Sequence, residues 1–221
     1  GDRLDYAVHV SESNLARLQV IVRPRRGADV SFDVTALENK IVEAVRSWTD
    51  ELRSILVQKQ GEETGLKTAS LFGRAFPEAY KEDISPWVAA FDVENADAVY
   101  QGADLRMSLY RPRKPRGGII RFKVFRKEAP IPLSSVLPML ENLGLHIVNE
   151  RPYELKMPDG KRLWIQDFDM IPAVNRELDL DVVRDLFQEA FERTLLGETD
   201  SDGFNRLVIA SQMNWRQVKI L

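Results

Sequence analysis

The sequence predicts an α+β fold in which a largely antiparallel sheet carries helices packed on one face. Three observations point there. From Gly118 to Met170 the pattern runs strand, short helix, strand, tight turn, strand. Just before it, Leu105, Met107 and Leu109 alternate with Arg106, Ser108 and Tyr110, the period-two signature of a strand. On both sides of this stretch the apolar spacing changes to three and four, so helices flank the sheet-forming segment.

In chain order, Leu4 to Val10 alternates as a half-buried strand. Leu15 to Arg23 continues with Leu18, Val20 and Val22 on one face, before Pro24 and Gly27 mark a turn. Leu37, Ile41, Val45, Trp48, Leu52 and Ile55 predict one amphipathic helix, with Thr35 and Glu38 in capping-box spacing at its start and Gly61 and Gly65 at its end. A second helix is expected over Leu66 to Phe72, then a loop or short turn around Pro77. Ser85-Pro86 opens a third helix, the serine as cap and the proline in the first helical position. The run RPRKPRGG reads as a hairpin turn whose second strand points Ile120, Phe122 and Val124 inward.

Pro130 and Pro132 then interrupt the chain. Leu133, Val136, Leu137, Leu140 and Leu143 predict a short helix that tolerates Pro138 in its early turns and ends on a left-handed Gly144. His146 to Lys156 is strand-like, Pro158-Asp159-Gly160 supplies turn chemistry, and Leu163, Ile165 and Phe168 belong to the next strand. Val182 to Leu195 predicts a helix ended by Gly197. Phe204 to Ala210 and Trp215 to Leu221 read as short helices, the second capped by Asn214. The helical pattern is still open at Leu221, as expected of a piece of a longer protein. VIVRPRRG near Val20 echoes LYRPRKPRGG near Leu109, which makes two related α+β units a further expectation.

Composition narrows the chemistry. The 221 residues are 44% hydrophobic and 29% charged, ordinary for a globular protein, and the formal net charge of −3 gives no global pull toward nucleic acid or anionic membrane. The sequence has no cysteine, so it has no disulfide or thiolate metal site, and only His9 and His146 are present, too few for a multi-histidine site. Neither standard phosphate-cradling glycine motif occurs, nor a nucleophile elbow, nor a zinc-protease helix motif.

Asp167 and Asp169 in QDFDM share a strand face, the placement a magnesium site or an acid–base pair needs. No further carboxylate cluster completes such a site, and a solvent-facing strand edge is the expected setting. Arg111, Arg113, Lys114 and Arg116 would attract phosphate or RNA, with Tyr110 and Phe122 as stacking platforms. A solvated hairpin loop whose charges guard a sheet edge is the favoured reading. His146 is expected to be a packed or edge histidine. Trp48, Trp87 and Trp215 fall at helical core spacing, whereas Trp164 faces away from Leu163 and Ile165.

PLSSVLPMLENLGLHIVNERPYEL, followed by WIQDF, resembles the segment that precedes the catalytic domain in the very large bacterial NAD-dependent glutamate dehydrogenases. GEETGLKTASLFGRAFPEAYKEDISP and DSDGFNRLVIASQMNWRQV are similar to other stretches of the same region, in the same order, so the resemblance covers nearly the whole chain from about Leu15. It implies ACT-like (ferredoxin-like) strand-helix-strand-strand units with intervening and C-terminal helices. The implied divisions are an N-terminal α+β unit over 1–60, a helical linker over 61–100, an ACT-like domain over 101–175 and a helical segment over 176–221 leading towards the catalytic domain.

The resemblance further implies a cytoplasmic, oligomeric parent enzyme that oxidises glutamate to 2-oxoglutarate and ammonia with NAD. Its catalytic lysine and dinucleotide motif lie further along the chain. This segment is therefore expected to be inactive alone and to hold no catalytic residue, no NAD ligand and no metal. ACT modules often bind amino acids at the loop after their first strand. Here that loop is Lys127 to Ser135, which makes Lys127, Glu128, Ser134 and Ser135 candidate effector or interdomain contacts. The loop is proline-rich and lacks the glycine that lets a backbone approach a ligand closely, which favours the interdomain contact. The competing readings are a self-contained amino-acid sensor and, behind it, a nucleic-acid-binding module.

Overall fold

The computed structural model describes residues 3–10, 16–23, 33–38, 47–112, 118–173 and 178–221. The chain forms two compact units, Gly1–Arg46 and Ser47–Leu221.

In the first unit, β1 (Arg3–Val10) pairs antiparallel with β2 (Ala16–Arg23), in register from Arg3 opposite Arg23 to Val10 opposite Ala16. A helical turn over 34–38 follows. Its cap is Asp33, whose carboxylate accepts from Thr35 N at 2.9 Å and Ala36 N at 3.1 Å, so Thr35 lies inside the turn and does not cap it. Carboxylates satisfy free helix-start donors as hydroxyls do, and Asp33 stands one residue ahead of the turn. Ile41 and Val45 of the expected long helix lie outside the described residues, as do Pro24 and Gly27.

The second unit opens with four helices: α1 (Trp48–Gln60), α2 (Glu62–Phe72), α3 (Glu78–Asp83) and α4 (Pro86–Gln101). The expected helix from Leu37 to Ile55 does not run through Ser47. That residue is extended, and its hydroxyl accepts from Asp50 N, starting α1 afresh. A serine side chain competes with the helix for backbone donors and so favours a cap over an interior position. Gly61 turns the chain between α1 and α2 with φ of 82°.

Gly65 is not the break that the sequence suggested. It lies within α2, where a Cβ would fall 2.4 Å from the Val57 Cα, so the two helices cross backbone to backbone at that point. α3 replaces the loop expected around Pro77, which serves as its N-cap. α4 does begin at Ser85-Pro86, although the Ser85 side chain makes no capping bond.

β3 (Leu105–Tyr110), β4 (Ile120–Lys127), β5 (Leu145–Lys156) and β6 (Arg162–Pro172) form a sheet of order β3-β4-β6-β5 in which every neighbouring pair is antiparallel. β4 and β5 flank β6 and are joined by α5 (Leu133–Asn142); α6 (Leu180–Leu195) follows β6. This is the ferredoxin-like arrangement with its closing strand placed first in the chain instead of last. The C-terminus adds a 3₁₀ turn (Gly203–Arg206), α7 (Leu207–Ala210) and α8 (Trp215–Lys219), the last held by a reciprocal capping box between Asn214 and Gln217.

The sheet is covered on both faces, not one. Ile120, Phe122, Val124, Phe168 and Met170 share a core with Val136 and Leu140 of α5 and Phe187 and Phe191 of α6. On the other face Phe125, Tyr153, Leu155, Leu163 and Ile165 pack with Leu52, Phe72, Tyr80, Val93 and Val99 of the α1–α4 layer. β4 and β6 carry large apolar residues at both parities, which marks strands buried on two sides.

The open edges are managed separately. At β3, α6 covers the edge: Leu109 N donates to Gln188 Oε1 at 3.1 Å and Arg184 Nε donates to Leu109 O at 2.9 Å. At β5 the register shifts between Ile147 and Asn149, and His146 and Val148 are exposed. Among the described residues no helix is long and apolar enough to cross a membrane.

Candidate functional site

Two features stand apart from ordinary core packing. The first is a charge cluster where the α1–α4 layer meets the sheet. Lys123 of β4 is wholly buried and its ammonium pairs with Asp92 of α4. The same Asp92 oxygen accepts from the Tyr80 hydroxyl of α3 at 2.5 Å. Burial alone would lower the Lys123 ammonium; Asp92 and Asp167 outweigh it and raise it. Burial, reinforced by Asp92, pushes the Tyr80 hydroxyl well above its ordinary value, so it stays a donor.

Asp167 and Asp169 do share a face, but β6 is an interior strand and neither residue lies on a solvent-facing edge. Asp169 is clamped by Arg121 Nε and Arg151 Nη2, each at 2.7 Å. Asp167 is completely buried, and neither of its oxygens meets a hydrogen-bond donor. The guanidiniums of Arg121 and Arg151 stop 3.8 and 4.0 Å from it. Burial raises the Asp167 carboxyl above the usual carboxylate range despite the opposing pull of Lys123, Arg121 and Arg151. Among the described residues no group of acidic and histidine side chains is placed to hold a metal ion. The pair belongs to an ion network that joins three strands to two helices, and the acid–base reading has no substrate-accessible carboxylate to rest on.

The second feature is a cleft of about 540 Å³ at the end of the sheet. Three segments meet there: the last turn of α4 with Tyr100, the end of β4 with Lys127 and Glu128, and the β5–β6 turn with Gly160, Lys161 and Arg162. The turn is built by Asp159, whose carboxylate accepts from Tyr100 Oη at 2.9 Å, Lys161 N at 3.1 Å and Lys161 Nζ at 3.0 Å. Lys161 Nζ also lies 4.5 Å from the Tyr100 ring centre.

Glu128 takes the left-handed region with φ of 66°, the conformation for which the loop offers no glycine. It is held there by Glu128 N donating to Arg162 O at 3.1 Å and Trp164 Nε1 donating to Glu128 O at 3.0 Å. A non-glycine residue in this region costs roughly 1–2 kcal/mol, so the surroundings impose the conformation. The cleft is of the size that small-molecule sites usually have.

Of the four loop candidates, Lys127 and Glu128 line this cleft; Ser134 and Ser135 sit exposed on the first turn of α5 and do not. Tyr100, Lys161 and Arg162 were not singled out from the sequence, where only the Pro158-Asp159-Gly160 turn hinted at a built feature. Arg111 donates to Leu178 O at 3.0 Å; Arg113, Lys114 and Arg116 lie outside the described residues. His146 sits exposed on the β5 edge. Trp48 is half-buried and donates to Ile84 O at 2.8 Å, and Trp215 donates to Glu189 at 2.8 Å. Trp87 is 47% exposed, so its helical spacing did not place it in the core.

A ferredoxin-like sheet with a helical layer locked to it by buried charge defines an ACT-like module. Four family models match the chain in succession: the glutamate dehydrogenase ACT2 domain over residues 1–49, helical motif 2 over 55–99, the ACT3 domain over 104–183 and helical motif 3 over 199–221. The chain belongs to the large NAD-specific glutamate dehydrogenase family, in the region built from ACT domains and helical motifs.

Among its relatives, the NAD-specific glutamate dehydrogenase of Halomonas elongata is 42% identical over 217 residues. That of Pseudomonas aeruginosa is 35% identical over 211, and that of Mycobacterium tuberculosis 29% identical over 238. These alignments take in 98%, 96% and 100% of this chain but only 13%, 13% and 14% of the relatives.

Proposed function

We propose that this chain is a non-catalytic regulatory and assembly segment of an NAD-dependent glutamate dehydrogenase. The parent reaction is the oxidative deamination of glutamate to 2-oxoglutarate and ammonia, with NAD bound elsewhere in the longer protein. The observation that carries this reading is the ordered succession of ACT and helical-motif matches along a chain whose alignment takes in about 13% of its relative's length. The partner is the catalytic domain of the same polypeptide, within a cytoplasmic homo-oligomer. The working parts are an N-terminal α+β unit, a helical linker, the ACT-like domain and a C-terminal helical segment, with α1 belonging to the helical layer and not to the N-terminal unit.

Such a segment acts by coupling. A ligand or neighbouring subunit that favours one arrangement of the module biases the distant active site by its difference in affinity for the two arrangements. The cleft at Lys127 and Glu128 is the proposed effector contact, because it spans the seam between the helical layer and the sheet.

Two assays test the reading. The isolated 221-residue chain given glutamate and NAD should produce no NADH by absorbance, while the full-length dehydrogenase that contains it should. Turnover by the isolated chain would refute a non-catalytic role. A stand-alone amino-acid sensor is the second reading, favoured by the same cleft. It requires the isolated chain to be stabilised by a particular amino acid, by about 2.7 kcal/mol at a hundredfold excess over Kd.

A further inference from the structure

We propose that the segment from Glu128 to Ser135 is a strap over the end of the ACT3 core that opens as a unit while the sheet stays folded, with Gln166 as its latch. This deepens the regulatory reading by naming the part that moves.

The strap is held by one strand. β6 lies between β4 and β5, so from Leu163 to Met170 its backbone serves a neighbour on either side and has nothing left for a further segment. Its side chains do that work instead. Trp164 and Gln166 alternate in step with Phe168 and Met170, onto the face that packs against α5 and α6. The Gln166 carboxamide accepts from Ile131 N at 2.7 Å and donates to Ile131 O at 3.0 Å. A carboxamide offers the same donor and acceptor as a peptide group, which is why this buried polar side chain can stand in for a strand. Two residues back, Trp164 Nε1 donates to Glu128 O at 3.0 Å, and two further back Arg162 O accepts from Glu128 N at 3.1 Å.

The rest of the strap is loosely founded. Ile131 is the one fully buried residue between Phe125 and Val136, and it seals the core that β4 and β6 share with α5. Pro130 and Pro132 have no N–H with which to add a bond. Glu128 is left-handed, and Ala129 N reaches back across it to Lys127 O at 2.7 Å, a strained three-residue turn. Releasing Gln166 and Trp164 therefore frees one apolar anchor and relieves that strain. Segments with few buried contacts are the ones that open below the global unfolding free energy.

The strap has two accessible ends. At one, Lys127 and Glu128 line the cleft beside α4. At the other, Leu133, Ser134 and Ser135 are exposed on the first turn of α5, for which Pro132 is the N-cap. A ligand in the cleft, or a neighbouring domain against α5, biases the same opening by its difference in affinity for the two forms.

The test is amide hydrogen exchange of the 221-residue chain, read residue by residue by NMR across low urea concentrations. Glu128 and Ile131 should share one opening constant, about tenfold or more above that of Phe168 in β6 and nearly independent of urea. Gln166→Met should raise that constant about tenfold at both amides, although Gln166 bonds to Ile131 and the Glu128 amide bonds to Arg162. Trp164→Phe keeps an aromatic ring and removes the indole donor; it should raise the constant about threefold at both. A change confined to Ile131 in the first variant, or to Glu128 in the second, would show independent hydrogen bonds and overturn the strap. Exchange of Glu128 and Ile131 with the constant and urea dependence of Phe168 would overturn it as well, because the segment would then open only with the whole sheet. Either failure leaves the regulatory reading standing, since the glutamate oxidation rate of the full-length enzyme tests that separately.

Discussion

Asp92→Ala should cost far more than the loss of one surface ion pair. Lys123 is fully buried and Asp92 is 3% exposed, so the substitution strands an ammonium between a helix layer and a sheet. Removing one partner of a buried pair costs about 3–5 kcal/mol. The Tyr80 hydroxyl also loses its acceptor, worth about 1–3 kcal/mol on its own. The two losses share one oxygen atom and will not add in full.

Against a total stability of about 5–15 kcal/mol, a loss near 4 kcal/mol leaves the fold marginal. At roughly 2–4 °C per kcal/mol for a unit of this size, the melting point falls by roughly 10 °C. Replacing these three with apolar residues of similar volume, as Lys123→Met/Asp92→Leu/Tyr80→Phe, removes the Lys123–Asp92 pair together and leaves Asp167 to be held by Arg121 and Arg151. It should recover most of the loss, to within about 2 kcal/mol of the starting protein. The assay is urea unfolding followed by circular dichroism, with each single variant included so that the coupling can be extracted. A cost for Asp92→Ala below about 1 kcal/mol, the range of exposed pairs, would refute the reasoning. It would mean that the α1–α4 layer does not seal Lys123 from water.

Three further outcomes follow from the structure. The folded protein holds the Asp167 carboxyl above its ordinary range. Its contribution to stability is thus fully present below the ordinary carboxylate range and is lost as pH rises through the raised value. Asp167→Asn should flatten stability against pH in that acidic window and leave stability at neutral pH equal or higher; a clear loss at neutral pH would show that the carboxylate is needed by Arg121 and Arg151. Gly65→Ala should destabilise by about 2 kcal/mol or more, because a Cβ 2.4 Å from Val57 Cα forces two backbones apart. Gly203→Ala, where a Cβ meets nothing within 4 Å, should stay within about 0.5 kcal/mol in the same urea unfolding assay.

Local signals were legible in the sequence because their physics is local. The alternation at Leu105–Tyr110, the proline start of α4 at Ser85-Pro86, the left-handed Gly144 and the Asn214 cap all reappear in the structure. What escaped depended on partners far away in the chain. Lys123 alternates with inward-facing residues, and a single-faced sheet would leave it in water; its partner Asp92 stands 31 positions earlier, in a helix. Asp167 read as an edge residue because nothing in QDFDM reveals that β6 lies between β4 and β5. The helical face from Leu37 to Ile55 kept its spacing across Ser47, so only the cap geometry ends it. The cleft brings together Tyr100 and Asp159, 59 residues apart, and no local pattern signals that meeting.

In the proposed function, a segment remote from the catalytic machinery tunes glutamate oxidation. The most direct measurement is the steady-state rate against glutamate concentration for the full-length dehydrogenase and for the same enzyme carrying Lys127→Ala/Arg162→Ala, with native mass recorded for both. At least a twofold change in half-saturation or maximal rate, or a changed assembly, is expected. Superimposable curves from particles of equal mass would contradict it.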